Sequence, residues 1–319
     1  VSTDIDYFLR CKQYLKPGDM PHRFQTSIDR GCPHDCGLCP DHEQHSCLAI
    51  FDIIDECNMQ CPICYAVSAP NHGNAKSMAD IERMLATLLD SEIEPDLVQL
   101  SGGEPTLHPQ IIEIIQLLQQ SPVRHLMLNT NGIRIARDPA FVEALTEFRT
   151  GFEVYLQFDS LQAHALKNIR GIDASRTRLD ALEQLEAHQI STNLVCTIKG
   201  GVNDGEIDEI IQFARQWRCV RGVTFQPIQE AGRTDDFSKE NRVTLADIRR
   251  SVVAGSNPFD DADMVPLPCH PENISIGYAL RNADMLVPVS GLVTREALLE
   301  SSGNTITFEK SPALRDAFM

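Results

Sequence analysis

Short apolar runs with β-branched residues alternate along this chain with amphipathic stretches, separated by turn signals. Residues 48–55, 97–100, 124–129, 152–158, 192–198 and 222–226 read as strands. Residues 77–91, 109–120, 138–148, 174–188 and 204–217 read as helices. Six such βα steps joined by right-handed crossovers predict a parallel sheet, and we expect a six-stranded partial α/β barrel. Beyond 226 the periodicity weakens: 230–241 is polar and reads as a loop, 244–253 as a further helix, and 256–319 as a small C-terminal segment. The expected organisation is a cysteine-rich extension over 1–47, a barrel over 48–230, and a segment over 231–319 that covers the barrel mouth.

In such barrels chemistry gathers at the carboxyl ends of the strands. The first strand ends in Cys57-Asn-Met-Gln-Cys61-Pro-Ile-Cys64-Tyr65. This C-x3-C-x2-C spacing supplies three thiolates from one loop, enough to hold a four-iron cluster with one iron left open, whereas electron-carrying clusters are normally closed by a fourth cysteine. A zinc knuckle and packed apolar cysteines are the competing readings of the triplet alone. The second strand ends in Ser101-Gly-Gly-Glu-Pro-Thr106, whose glycines permit a sharp turn with exposed carbonyls and whose Glu104 adds a carboxylate, an acceptor set for a ligand ammonium group. The other strand ends carry Asn129-Thr-Asn-Gly132, Gln157-Phe-Asp-Ser160, Lys199-Gly-Gly201 and Gln226-Pro227, so that polar groups line one pocket.

Upstream, Cys32, Cys36, Cys39 and Cys47 form a C-x3-C-x2-C-x7-C set that can close a second, auxiliary [4Fe-4S] cluster. Zinc is the alternative, with His34, His42 and His45 as substitute ligands. Cys11, Cys196 and Cys219 are isolated, and the latter two read as core packing. His108 reads as a helix-start residue, and Arg233 as an anion binder or a solvated loop arginine.

The chain has 319 residues, is 42% hydrophobic, and carries 28 basic against 45 acidic residues for a net charge of −17. That charge disfavours nucleic acid and anionic membrane surfaces as partners. There is no basic-then-apolar leader and no apolar run that would span a bilayer. With seven of the 11 cysteines between Cys32 and Cys64 at metal-ligand spacing, the expectation is a soluble cytoplasmic protein in a reducing compartment.

A cysteine-rich loop followed one βα unit later by Gly-Gly-Glu-Pro resembles the radical S-adenosylmethionine (SAM) superfamily. The longer set from Gly31 through Tyr65, with Ser-Gly-Gly-Glu-Pro-Thr-Leu-His-Pro, Asn-Thr-Asn-Gly, Phe225-Gln-Pro-Ile and Gly232-Arg, is similar to the group of the archaeal tetraether lipid synthase and the class D radical SAM methyltransferases. The resemblance implies a [4Fe-4S] cluster on Cys57, Cys61 and Cys64 whose open iron is chelated by SAM. It implies SAM contacts among Tyr65, Ser101, Gly102, Gly103, Glu104, Asn129, Asn131, Asp159 and Gln226. It further implies a low-potential electron donor such as ferredoxin or flavodoxin, and a small-molecule or lipid-like substrate. One electron then cleaves SAM to methionine and a 5′-deoxyadenosyl radical, which abstracts a substrate hydrogen atom and leads to carbon–carbon bond formation by methylation or coupling. Because this abstraction needs no general base, no acid–base residue is assigned. Other radical outcomes (dehydrogenation, epimerisation, peptide crosslinking) and a non-catalytic iron–sulfur or zinc protein remain open.

Two positions depart from the resembled pattern. Ile63 stands before the last cluster cysteine where an aromatic residue is common, with Tyr65 after it. Residues 265–274 contain Cys269 without the further cysteine that often follows, so Cys269 is left as a packing residue, a single metal ligand or a group near substrate.

Overall fold

The computed structural model describes residues 48–92, 95–234, 237–266, 274–282, 285–294, 297–298, 301 and 314. The expected cluster ligands Cys32, Cys36, Cys39 and Cys47, together with Cys11 and Cys269, lie outside these residues.

Six strands form the main sheet: β1 (Ala49–Ile54), β3 (Leu97–Gly102), β4 (His125–Thr130), β5 (Phe152–Gln157), β6 (Thr192–Ile198) and β7 (Val220–Pro227). The sheet order is β1-β3-β4-β5-β6-β7, and the pairs from β3 to β7 are parallel. An order that runs in one direction without reversal is the winding of a barrel rather than of a doubly wound sheet. The strands are nearly continuous apolar runs, as a parallel sheet buried on both faces requires: Leu126, Met127 and Leu128 are all buried in β4, and Val154, Tyr155 and Leu156 in β5.

Between them lie α1 (Met78–Ser91), α2 (Ile111–Gln119), α3 (Ile133–Arg137), α4 (Pro139–Leu145), α5 (Ala163–Arg170), α6 (Ser175–Ala187) and α7 (Ile207–Ala214). In α2 the buried positions Ile111, Ile114, Ile115 and Leu118 follow the three-and-four spacing of one helical face. The start of α4 is set locally: the Asp138 carboxylate accepts from Phe141 N at 3.1 Å, and Pro139 follows it. After β7 come a two-residue strand, β8 (Arg233–Thr234), and α8 (Leu245–Ala254), which Thr244 and Asp247 open with a capping box. β8 pairs antiparallel with β2 (Ile63–Cys64), inside the cysteine loop. The stretch read as a plain polar loop therefore carries a strand.

The chain divides into two units, one of them made of Ile50–Met84 and Leu97–Asn257. The barrel unit thus runs on to Asn257 and includes α8. The described part of the other unit beyond Pro258 holds two small antiparallel pairs, β9 (Met264–Pro266) with β10 (Ser275–Gly277) and β11 (Ala279–Asn282) with β12 (Met285–Pro288). Its apolar centre is Val265, Val289, Val293, Leu298 and Leu314, with Tyr278 packed against them. Among the described residues no helix is long and apolar enough to cross a membrane.

Candidate functional site

The loop after β1 and the turn after β3 are tied together through their backbones. Gly103 N donates to Ile54 O at 2.7 Å, and Glu104 N to Glu56 O at 2.8 Å. A Cβ on Gly102, where φ is +126°, would stand 2.2 Å from Ile54 O, and one on Gly103 would stand 2.1 Å from Glu56 O. The paired glycines are thus required by close approach of the turn to the cysteine loop.

Glu104 is 1% exposed. Its Oε1 accepts from the Thr106 hydroxyl at 2.5 Å, from the Thr130 hydroxyl at 2.6 Å and from Thr106 N at 3.2 Å. Its Oε2 accepts from Asn131 N at 2.8 Å. Burial pushes the carboxyl above the usual glutamate range, opposed first by the Asn131 N–H and then by the two threonines. Glu104 therefore braces the β3 and β4 loop ends against each other. Asn131 extends the brace: its Nδ2 donates to Asn58 Oδ1 at 2.7 Å and stands 4.0 Å from Cys57 Sγ.

Of the three cysteines, Cys61 is buried while Cys57 and Cys64 are half-buried. Burial raises the Cys57 thiol to about 12 and also raises Cys61. As free thiols they hold their protons, and a bound cationic centre would displace them. Among the described residues no three His, Cys, Asp or Glu side chains converge on the position of a single ion. A cuboidal cluster needs no such convergence, since each sulfur binds a different iron. Three thiols on one short loop are a donor set that fits such a cluster.

The Tyr65 hydroxyl and Ser101 Oγ lie 2.8 Å apart, and Asn129 Nδ2 donates to the same Oγ at 3.4 Å. Tyr65 is 60% exposed, so an aromatic residue is accessible beside the last cysteine although Ile63 occupies the earlier position. Gln226, at the end of β7, is exposed and donates to the Tyr155 hydroxyl at 3.3 Å.

Asp159 sits among buried arginines. It is 0% exposed, with φ +66°. Its Oδ1 accepts from Arg170 Nη2 at 2.6 Å and Thr197 N at 3.1 Å, and its Oδ2 from Arg170 Nε at 2.8 Å and Arg178 Nη2 at 2.7 Å. Burial pushes its carboxyl up, and Arg170, then Arg178, more than reverse this, so that it lies below the usual aspartate range. Four protein donors meet the two carboxylate oxygens, so Asp159 orders two arginines at the end of β5. Arg170 in turn donates to Ile63 O at 3.3 Å, under the cysteine loop. Arg178 donates Nε to Gln157 O at 2.9 Å, while its buried Nη1 has no partner.

Arg170, Arg178 and Arg233 are the residues whose roles sequence reading missed. Arg233 is neither a solvated arginine nor an anion site: Nε donates to Cys61 O at 2.6 Å and Nη2 to Ser68 O at 2.8 Å. For Arg170 and Arg178 the available signal was Asp159 just beyond a strand end, since a buried carboxylate demands cations. Cys196 and Cys219 are buried as expected of packing residues. His108 is 1% exposed and is bonded through Nε2 to Lys76 O at 2.8 Å and through Nδ1 to Gln110 N at 3.1 Å. The cysteines do not line the open cavity of about 560 Å³ beyond β7, whose walls include Gln229, Phe237 and Arg242.

A model of the Radical SAM superfamily matches residues 51–214, the stretch that carries the cysteine loop, the Gly-Gly-Glu turn and five of the six main strands. The chain belongs to the radical SAM superfamily. Membership implies a [4Fe-4S] cluster and SAM as cofactors. The chain is 34% identical over 250 residues to 7,8-dihydro-6-hydroxymethylpterin dimethyltransferase of Methanocaldococcus jannaschii, across 76% of this chain and 49% of that protein. It thus spans about half the length of this relative. It is 25% identical over 232 residues to GTP 3′,8-cyclase of Chlorobaculum tepidum, across 70% of this chain and 68% of the cyclase. Among solved structures, Streptococcus suis SuiB bound to S-adenosylmethionine superposes with a TM-score of 0.53 at 17% identity, covering 66% of this chain and 46% of SuiB. A polyhistidine-tagged anSMEcpe with bound AdoMet gives 0.51 at 18% identity, covering 64% of this chain and 57% of that one. At these identities the likeness speaks for the partial barrel alone.

Proposed function

We propose that this radical SAM protein holds its cluster on Cys57, Cys61 and Cys64 and methylates a carbon of a small molecule through a substrate radical. One SAM leaves as methionine and 5′-deoxyadenosine, a second gives up its methyl and leaves as S-adenosylhomocysteine, and the electron donor supplies one electron for each. The observation that carries the reading is the loop itself: three thiols on one loop, fastened by backbone bonds to a half-buried Gly-Gly turn. When bound, the cluster and SAM supply the one-electron cleavage that yields a 5′-deoxyadenosyl radical.

The protein's own part is placement and exclusion of water. The Gly102–Gly103 carbonyls are the acceptors for the SAM ammonium, within a turn that Glu104 keeps rigid. Arg178, buried against Asp159 and Gln157 O, steadies the end of β5 from below. The exposed ring of Tyr65 offers a stacking face for adenine. Asn129 and Gln226 are candidates to line the space between SAM and substrate. The upstream set Cys32, Cys36, Cys39 and Cys47 is assigned to an auxiliary cluster, and a ferredoxin or flavodoxin to electron delivery.

Methylation is favoured by the dimethyltransferase likeness, which is higher in identity and longer than the cyclase one. Intramolecular cyclisation is the second reading, on the strength of the cyclase relatives. The anaerobically reconstituted chain, given dithionite and SAM, should release 5′-deoxyadenosine, and Cys57→Ala should not. With methyl-labelled SAM and reduced pterin, label in the product supports methylation. Unlabelled product with 5′-deoxyadenosine formation supports the second reading, and no 5′-deoxyadenosine at all rejects both.

A further inference from the structure

Resting on the cluster assignment above, we infer that Arg233 is a positioning residue that clamps the iron-binding loop from the segment after β7 and favours the reduced cluster. Its guanidinium spans the loop, bonding Cys61 O at 2.6 Å and Ser68 O at 2.8 Å, so Cys64 lies between the two anchored points. The backbone is engaged as well: Cys64 pairs with Arg233 and Ile63 with Thr234 in the β2–β8 ladder. Gly232 makes this approach possible. Its φ is +67°, and a Cβ there would stand 2.4 Å from Tyr65 O and 2.5 Å from Cys64 O. Three residues past β8, Phe237 packs with Ile63, Ile169 and Ile228.

Such a loop has carbonyls that no helix takes up, and charge-assisted bonds from a planar fork fix two of them in one geometry. Two consequences follow. The three thiols are arranged before iron arrives, so removal of the fork raises the ordering that iron binding must accomplish. An electron added to the cluster makes it and its thiolates more negative, so a fixed cation beside the loop stabilises the reduced state.

The test uses the anaerobically reconstituted chain and the variants R233Q and R233K, each checked by circular dichroism. Iron release to a chelator and the reduced fraction at fixed poise, read by electron paramagnetic resonance (EPR), are the two readouts. R233Q should release iron about tenfold faster, from the loss of two charge-assisted hydrogen bonds. Its reduced fraction should fall about tenfold, equivalent to about 59 mV for a one-electron couple. R233K keeps the charge without the fork, so the potential should return to the wild-type value while iron release stays fast. Wild-type release and potential in folded R233Q, or wild-type release in R233K, would overturn the clamp and leave the cluster assignment standing. Failure of the wild-type chain to bind iron in a Cys57-dependent way overturns the cluster assignment itself.

Discussion

Asp159→Asn keeps the side chain's volume and removes its charge. In the folded chain the Asp159 side chain is 0% exposed, and the side chains of its partners Arg170 and Arg178 are 8% and 2% exposed. Four donors point at the two carboxylate oxygens. The variant leaves two guanidinium groups with no buried anion between them. Breaking a buried pair by removing one partner typically costs about 3–5 kcal/mol, because the remaining charge stays desolvated. We therefore expect about that loss of unfolding free energy in urea. Trp217 is the single tryptophan, tilted against Phe213 at 6.0 Å, and Phe213 stacks on Phe158 at 5.1 Å, next to Asp159 in the chain. Its fluorescence reports on the affected region. Adding Arg178→Met to Asp159→Asn should recover part of the loss, because one uncompensated charge is then gone. A loss below about 1 kcal/mol, the size of an exposed ion pair, would refute the buried-network reasoning.

The acid limb of stability should also depend on Asp159. Its folded-state value lies below the ordinary carboxylate range, so its contribution is complete above about pH 4, the unfolded value, and is lost as pH falls through the lower folded value. Urea midpoints measured downward from neutral pH should therefore fall less steeply in Asp159→Asn than in the wild type. Gly103→Ala must move backbone by roughly 1 Å to relieve a Cβ placed 2.1 Å from Glu56 O. Overpacking of that kind costs about 1–3 kcal/mol, and we expect it with faster iron release, whereas a wild-type melt would show that the turn and loop do not pack as described.

Where the chain repeats one element many times, the sequence was enough. The main strands and the helices α1, α2, α4, α6, α7 and α8 follow from buried apolar runs and one-sided helices, which are local signals. The helix α5 was missed because it is only eight residues long and its buried face holds just two large apolar side chains, Leu166 and Ile169. The pairing of β2 with β8 joins residues far apart in the chain and only two long, so no local pattern marks it. At the site, the cysteine spacing and the Gly-Gly pair were legible because their chemistry is written in residue type. The inward orientation of Glu104 and Asp159 was not, since a carboxylate at a strand end looks the same whether it faces a ligand or neighbouring protein. Only the donors contributed by Thr130, Asn131, Arg170 and Arg178 decide it.

The open iron is tested most directly by EPR of the dithionite-reduced chain with and without SAM, taken as the difference between the wild type and Cys57→Ala so that any other cluster cancels. We expect a Cys57-dependent [4Fe-4S] signal whose shape changes when SAM is added. A Cys57-dependent signal indifferent to SAM, or zinc in place of iron, would contradict it.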